Sequence, residues 1–265
     1  LPSSPEEKAH FTEAARDTID AVENFRDDFN TFFVQIRNAF PDPSAQASTE
    51  DVAAVQHPFR PIIQVRPFSD ALMISACLVY GKAPQYPRVV DILETIVGAA
   101  AAFRLSLKRK EVFRGGIDVG VGTQLHDADV YGPVLVNAYR LEDTVAQWPR
   151  IVVGTRLVDY LRSAISEDSG DEIGETLSLF AKQCLELIDI DADGQRIVDY
   201  LGAPMRGILV DDEAEFESEV KAAYSFISAE HERFSNADNP KLALRYAILR
   251  RYFLDKCGDI LEPHS

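Results

Sequence analysis

Apolar residues recur at helical spacing along the amino-terminal part of the chain. Most stand three or four positions apart, at Phe11, Ala15, Ile19, Val22, Phe25, Phe29, Phe32, Phe33, Ile36 and Phe40. This broad apolar stripe predicts one long helix over residues 4–40, and Ser4, Pro5 and Glu7 suit its capped first turn. The stripe favours a helix that faces the core or a dimer partner.

Two short apolar runs follow a proline-rich loop over residues 41–61. The runs cover residues 62–68 and 71–76, and Ser69 and Asp70 lie between them. Runs of this length around a polar pair predict a β-hairpin with Asp70 at its tip. A carboxylate at that place is either an ordinary turn residue or a ligand for a hard cation such as Mg²⁺.

The stretch over residues 113–150 carries most of the candidate chemistry. It begins as a glycine-rich alternating segment, passes through a polar turn, and opens a helix at Pro133. That helix places Asn137 and Arg140 on one side, three residues apart. A strand, glycines that let the backbone come close to a ligand, and a helix that displays an arginine are together typical of a site for a phosphorylated ligand.

The rest of the chain alternates short strands with helices, which indicates an α/β or α+β class. Helices are expected over 87–110, 155–166, 173–187, 216–234 and 240–260, with a strand over 151–153. A hairpin is predicted over 187–201 around Asp193-Gly194, a strong turn dipeptide. The last two helices predict an antiparallel helical hairpin.

The net charge of this chain limits the classes of partner that it is expected to bind. It has 265 residues, with 43 acidic against 27 basic side chains and a formal charge of -16. Such a surface repels nucleic acid and anionic membranes, so a nucleotide would need a local positive site, aided by metal. We expect no nucleic-acid or membrane partner and, because no bilayer-length apolar run or signal peptide is seen, a cytoplasmic protein.

The stretch over residues 113–150 resembles the catalytic half of the class III nucleotidyl cyclases. Its matching pieces are Arg114-Gly115-Gly116-Ile117-Asp118-Val119-Gly120, Asp129-Val130-Tyr131-Gly132 and Val136-Asn137-Ala138-Tyr139-Arg140-Leu141-Glu142. Residues 148–153, which read WPRIVV, are similar to a divergent bacterial branch that includes the pyrimidine cyclases of the Pycsar anti-phage systems. The resemblance covers residues 60–202.

The resemblance implies an α+β fold with a ferredoxin-type βαββαβ core, a long N-terminal helix and a C-terminal helical hairpin. It implies a catalytic domain over residues 1–205 and a helical extension over residues 206–265. The first strand of the family, which carries another metal-binding aspartate, is not found. Either the numbered chain lacks that segment or the site is degenerate, and Asp118 is either a second carboxylate or an outward-facing residue.

The resemblance also implies roles for the matched residues that would hold metal and base. Asp70 would bind Mg²⁺ or Mn²⁺, and Arg66 would stand where purine cyclases use a base-recognising lysine. Asp129 would contact the base, with Tyr131 in the same substrate-binding turn. Without the resemblance, Asp129 is more often a cap or turn former.

Arg140 and Asn137 match the catalytic helix of the family. Arg140 would stabilise charge on the α-phosphate, or else form a surface ion pair with Glu142 or Asp143. Asn137 would position the ribose, although the family places its asparagine at the position of Val136.

These roles together imply a nucleotidyl cyclase that acts as a homodimer. Metal ligand and arginine would come from different subunits, and UTP or CTP would become cUMP or cCMP, an anti-phage signal. The alternative is a cyclase-like dimer that has lost catalysis and binds nucleotide as a regulatory module.

Overall fold

The computed structural model describes residues 4–39, 63–68, 71–79, 86–125, 129–166 and 170–261. The helices are α1 (Pro5–Ala39), α2 (Val89–Lys108), α3 (Pro133–Arg140), α4 (Thr155–Ser166), α5 (Glu172–Glu186), α6 (Ala203–Leu209), α7 (Glu213–Asn236) and α8 (Pro240–Leu261). The strands are β1 (Ile63–Phe68), β2 (Ala71–Ala76), β3 (Gly115–Ile117), β4 (Thr123–Leu125), β5 (Asp129–Tyr131), β6 (Ile151–Val153), β7 (Ile188–Ile190) and β8 (Arg196–Val198). A π-helical turn, Leu141–Val145, continues α3 directly.

These elements confirm the expected mixture of helices and strands. The helix α1 and the hairpins β1–β2 and β7–β8 lie where the sequence pattern predicts them. The helix α6 was not predicted as a separate element, although most of it lies within the helical extension expected over residues 206–265. Each described helix is too short or too polar to span a lipid bilayer.

The strands form one small mixed sheet and two separate hairpins. The sheet has the order β3-β6-β8-β7, with β3 parallel to β6 and the other pairs antiparallel. The β1–β2 hairpin sets Ile63 opposite Ala76, and the β4–β5 hairpin sets Thr123 opposite Tyr131. The strands β2 and β3, which α2 connects, therefore each lie at an edge of the described sheets.

The helix α2 runs through the centre of the core. It contacts α1, α5, α6 and α7, and most of its length is buried. The apolar stripe of α1 packs here: Val22, Phe25 and Phe29 are buried. A Cβ atom added to Gly98 of α2 would lie 2.8 Å from the Phe29 ring, so the two helices meet closely because this position has no side chain.

The helices α7 and α8 pack against each other and share the apolar core of α2. Polar contacts tie α8 to the sheet. The Lys256 ammonium donates to Asp189 at 2.6 Å and to Asp199 at 2.5 Å, and the Tyr252 hydroxyl donates to Asp199 at 2.7 Å. Burial acts to lower the pKa of Lys256, but the bonds to these two carboxylates outweigh burial and raise it.

Candidate functional site

A cavity of about 490 Å³ lies between β2 and the segment that starts with β3. One wall consists of residues 73–79 and the other of residues 116–123. Residues of α2 and α4 border the cavity as well, including Ile92 and Leu157, and α3 contributes Val134, Leu135 and Ala138. Its size is within the range of ligand-binding pockets, which is about 300–1,000 Å³.

Because Gly116 has no side chain, α3 can pack closely against β3. A Cβ atom there would lie 2.6 Å from the Leu141 Cβ atom and 2.8 Å from the Glu142 nitrogen, and would also meet the Ala138 carbonyl oxygen. Ordinary contacts of a Cβ atom begin at 3.4 Å. Gly116 therefore fixes how closely the helix with the predicted catalytic residues approaches the sheet.

A second glycine turns the chain from β5 into α3. Gly132 has a φ of 135°, which is a backbone conformation that favours glycine. Next to it, the Val134 backbone N–H donates to the Val121 carbonyl oxygen at 3.1 Å. The start of α3 is thus fixed to the glycine-rich segment that forms one wall of the cavity.

Arg140 lies on the side of α3 that faces away from the cavity. Ala138 borders the cavity, and Arg140 is two residues further, which is about 200° around the helix axis. Val136 shares the side of Arg140 and is 48% exposed, and Tyr139 is 62% exposed. Arg140 itself is exposed, so one chain does not bring its guanidinium to the cavity wall.

The predicted ion pair of Arg140 with Glu142 or Asp143 is not found in the described part of the chain. Glu142 binds Arg114 instead, at 2.8 Å. Arg140 therefore lies on a surface of exposed apolar side chains. The alternative role of Arg140, a surface ion pair with Glu142 or Asp143, is not supported by the described contacts.

The other predicted site residues of α3 and β5 are close in sequence to the exposed surface that carries Arg140. Asn137 is partly buried, next to the cavity residue Ala138. Tyr131 is the last residue of β5 and is 69% exposed. Asp129 begins β5, opposite Leu125, so it belongs to a strand rather than to the predicted polar turn.

Arg66 is near the cavity in the β1–β2 hairpin but is not among the residues that border it. Alternate strand residues face opposite sides, and Ile63 and Val65 pack on the core. Gln64, which borders the cavity, therefore shares its side with Arg66. The register supports this, since Arg66 is opposite Met73, which also borders the cavity.

The described carboxylates do not form a metal site. Asp118 borders the cavity, but its Oδ1 atom accepts a hydrogen bond of 3.1 Å from the Leu157 backbone N–H in the first turn of α4. It thus caps a helix, a role that the sequence interpretation did not consider. No group of three or more His, Cys, Asp or Glu in the described ranges is placed to hold a metal ion. Asp70 lies outside those ranges, and its role as a ligand stays a prediction.

Sequence reasoning missed a buried arginine behind α3. The Arg150 guanidinium donates to Asp191 at 2.6 Å, to Asp193 at 2.7 and 2.9 Å, and to the Val145 carbonyl oxygen at 2.8 Å. It also stacks over the Trp148 ring at 3.6 Å. Hydrogen bonds from Arg150 lower the pKa of Asp193. Arg150 therefore fixes the π-helical turn after α3 to the β7–β8 hairpin.

Comparisons with protein-family models, with curated proteins and with solved structures find no match to this chain. The resemblance to class III cyclases is therefore carried by the quoted motifs alone. What the chain does has to be inferred from the arrangement of its own residues.

Proposed function

We propose that the chain is a nucleotidyl cyclase that acts as a two-fold homodimer in the cytoplasm. Its substrate is UTP or CTP, and its product is the 3′,5′-cyclic nucleotide, a signal in bacterial anti-phage defence. The motifs of residues 113–150 support this proposal, as does the succession of β1, β2, α2, β3 and β6, which is compatible with a ferredoxin-type core that lacks one strand. A cavity large enough for a ligand lies between those strands.

The placement of Arg140 is the observation that carries the proposal. Arg140 faces away from the cavity, among the exposed apolar side chains of Val136 and Tyr139. Exposed apolar side chains beside a charged group are typical of a protein–protein interface. A two-fold interface that includes both this surface and the mouth of the cavity would bring the Arg140 of one copy to the cavity of the other, and symmetry would complete two equal sites.

The reaction needs charge stabilisation at one phosphorus atom. The 3′-oxygen of the substrate forms a bond to the α-phosphorus, and the bond from that phosphorus to the oxygen bridging to the β-phosphate breaks. Pyrophosphate leaves, and the 3′-hydroxyl proton passes to solvent. Arg140 from the second subunit would donate to the α-phosphate oxygens, where negative charge increases, and Asn137 would hold the ribose.

Base selection would come from Arg66, Asp129 and Tyr131. Arg66 in β1 has a planar guanidinium, whose geometry suits carbonyl and ring-nitrogen acceptors of a pyrimidine. Asp129 and Tyr131 in β5 would complete the substrate contacts. A metal requirement, for Mg²⁺ or Mn²⁺, is part of the proposal only through Asp70, because the described carboxylates do not fit a metal site.

The test is to incubate the full chain with each of the four ribonucleoside triphosphates and Mn²⁺ and to identify cyclic nucleotides by mass spectrometry. We expect cUMP or cCMP from the wild type and about a thousandfold loss of rate in Arg140→Ala, as for removal of a donor to a developing charge. Arg251→Ala, an exposed arginine of α8, is the matched control and should keep the full rate. No cyclic product with any triphosphate would contradict the proposal.

A second candidate is a nucleotide-binding dimer without catalysis. The capping of α4 by Asp118 favours it, because this bond gives the candidate second ligand a structural role that needs no metal. Calorimetry separates the two candidates: triphosphate binding with no cyclic product supports the binding module, and product formation excludes it.

A further inference from the structure

We propose that Arg150 is a positioning residue, which holds α3 so that Arg140 and Asn137 keep the geometry that the reaction needs. The catalytic part of this inference rests on the proposed cyclase function. The structural part, the anchoring of α3 by Arg150, can be measured on the protein without any reaction. Arg150 is buried, so it acts on the reaction only through the residues that it holds in place.

The helix α3 is held by few contacts. None of the residues in α3, Pro133–Arg140, or in the π-helical turn Leu141–Val145 is buried. Burial of an apolar face, which stabilises most helices in proteins, therefore contributes little here. The position of α3 depends instead on the bond from Val134 to Val121 at its start, on the close approach at Gly116, and on the polar contacts at its end.

The end of α3 is bonded to the buried residue Arg150. The Arg150 Nη2 atom donates to the carbonyl oxygen of Val145, the last residue of the π-helical turn, at 2.8 Å. The Arg150 carbonyl oxygen accepts a hydrogen bond of 2.9 Å from the Gly115 N–H in β3. Arg114 bonds the same turn at Glu142, but its side chain is 30% exposed, and exposed ion pairs contribute little. Arg150 is therefore the main connection between the end of α3 and the sheet.

The β7–β8 hairpin fixes the guanidinium itself. Its Nη1 atom donates to Asp191 at 2.6 Å and to Asp193 at 2.9 Å, and its Nη2 atom donates to the second carboxylate oxygen of Asp193 at 2.7 Å. The Trp148 ring covers one face, with its centroid 3.6 Å from the Arg150 Cζ atom. A bidentate carboxylate contact and ring stacking hold a planar group in one orientation. The bond to Val145 therefore has a fixed direction.

A guanidinium that is fixed in this way limits how far Arg140 can move. Arg140 is the last residue of α3, and the π-helical turn that Arg150 holds follows it directly. Misplacing a catalytic group by about 1 Å slows a reaction by about a hundredfold. Loosening Arg150 should therefore lower kcat and leave KM unchanged, because Arg140 is proposed to act on the charge of the transition state.

A purely structural role of Arg150 is the alternative, and Lys256 provides the matched control. Lys256 bonds Asp189 of the same hairpin at 2.6 Å and Asp199 at 2.5 Å, and neither partner belongs to α3 or to the turn after it. If Arg150 only stabilises the fold, removing Lys256 should have the same effects. If Arg150 positions α3, only the changes at Arg150 should reach that helix.

The first experiment measures hydrogen–deuterium exchange of the backbone amides in the full chain. Arg150→Lys keeps a positive charge near the hairpin but loses the planar fork that also reaches Val145. We expect exchange in residues 137–146 to become about tenfold faster or more. Asp193→Asn, at a side chain that is 36% exposed, loosens Arg150 without removing it and should give a smaller increase. Lys256→Met should leave exchange in residues 137–146 unchanged.

The second experiment measures cyclisation by the same variants, at a temperature where all of them are folded. Arg150→Lys should lower kcat by about a hundredfold, with KM within about twofold of the wild-type value. Lys256→Met removes a partly buried cation outright, yet it should keep the wild-type kcat. The split between kcat and KM distinguishes positioning of Arg140 from a general loss of folded protein.

The outcomes separate this inference from the proposed function. Unchanged exchange in residues 137–146 of both Arg150→Lys and Asp193→Asn, or an equal increase in Lys256→Met, would show that Arg150 does not anchor α3, whatever the reaction is. Faster exchange with an unchanged kcat would overturn the positioning role. A wild type that forms no cyclic nucleotide would contradict the proposed function, and the exchange result alone would then decide whether Arg150 anchors α3.

Discussion

Replacing Gly116 by alanine tests how the sheet positions α3. The added Cβ atom would lie 2.6 Å from the Leu141 Cβ atom, whereas ordinary contact begins at 3.4 Å, so α3 must move outward by about 1 Å. Overpacking of this kind lowers the free energy of unfolding by about 1–3 kcal/mol. If Arg140 and Asn137 act in catalysis, a shift of about 1 Å should also slow cyclisation by about a hundredfold.

The assay is urea unfolding followed by circular dichroism, together with the cyclisation rate at saturating triphosphate. Gly207→Ala is the control: a Cβ atom there meets nothing within 4 Å, and Gly207 lies inside α6. It should leave the stability unchanged or raise it by about 0.4–1 kcal/mol. If Gly116→Ala is as stable as the wild type and equally active, α3 does not depend on this close approach.

Three further predictions concern acid stability, the interface and the base. Because Arg150 lowers the pKa of Asp193, this carboxylate stabilises the fold above its unfolded pKa, and the contribution is lost as pH falls through the lowered folded pKa. Urea midpoints from about pH 6 to about pH 3 should therefore fall less in Asp193→Asn than in the wild type, and equal slopes would contradict this. Tyr139→Asp should convert a dimer into a monomer in light scattering, and a wild type that is monomeric with and without nucleotide would refute the interface. When all four triphosphates compete, the wild type should cyclise UTP or CTP fastest, and Arg66→Lys should lose that preference. Faster cyclisation of ATP or GTP by the wild type would show that the base assignment is wrong.

Local patterns were sufficient to predict most of the elements. The stripe of α1 has helical spacing, and the Asp193-Gly194 dipeptide predicted the β7–β8 turn, where Gly194 has a φ of 82°. The helix α6 was not separated from the rest of the predicted helical extension because its seven residues, Ala203–Leu209, are too few to show a period. The π-helical turn after α3 has no sequence signature of its own.

The arrangement of the site could not be predicted because it depends on contacts distant in sequence. Arg150 meets Asp191 and Asp193 more than forty residues away, and neither partner forms a spacing motif with it. The capping of α4 by Asp118 is equally non-local. Apolar runs predict strands but not which strands pair, so the sheet order β3-β6-β8-β7 became visible only in the fold.

Complementation between two inactive variants tests most directly whether the site is shared by two chains. Asp70→Asn should remove the metal ligand of one subunit, and Arg140→Ala should remove the arginine that the other subunit supplies. Each variant alone should be inactive. After denaturation and joint refolding in equal amounts, half of the dimers are mixed and each mixed dimer has one intact site of two, so about a quarter of the wild-type rate should return. If the mixture stays inactive while light scattering shows dimers, Arg140 does not act across a dimer and the account is contradicted.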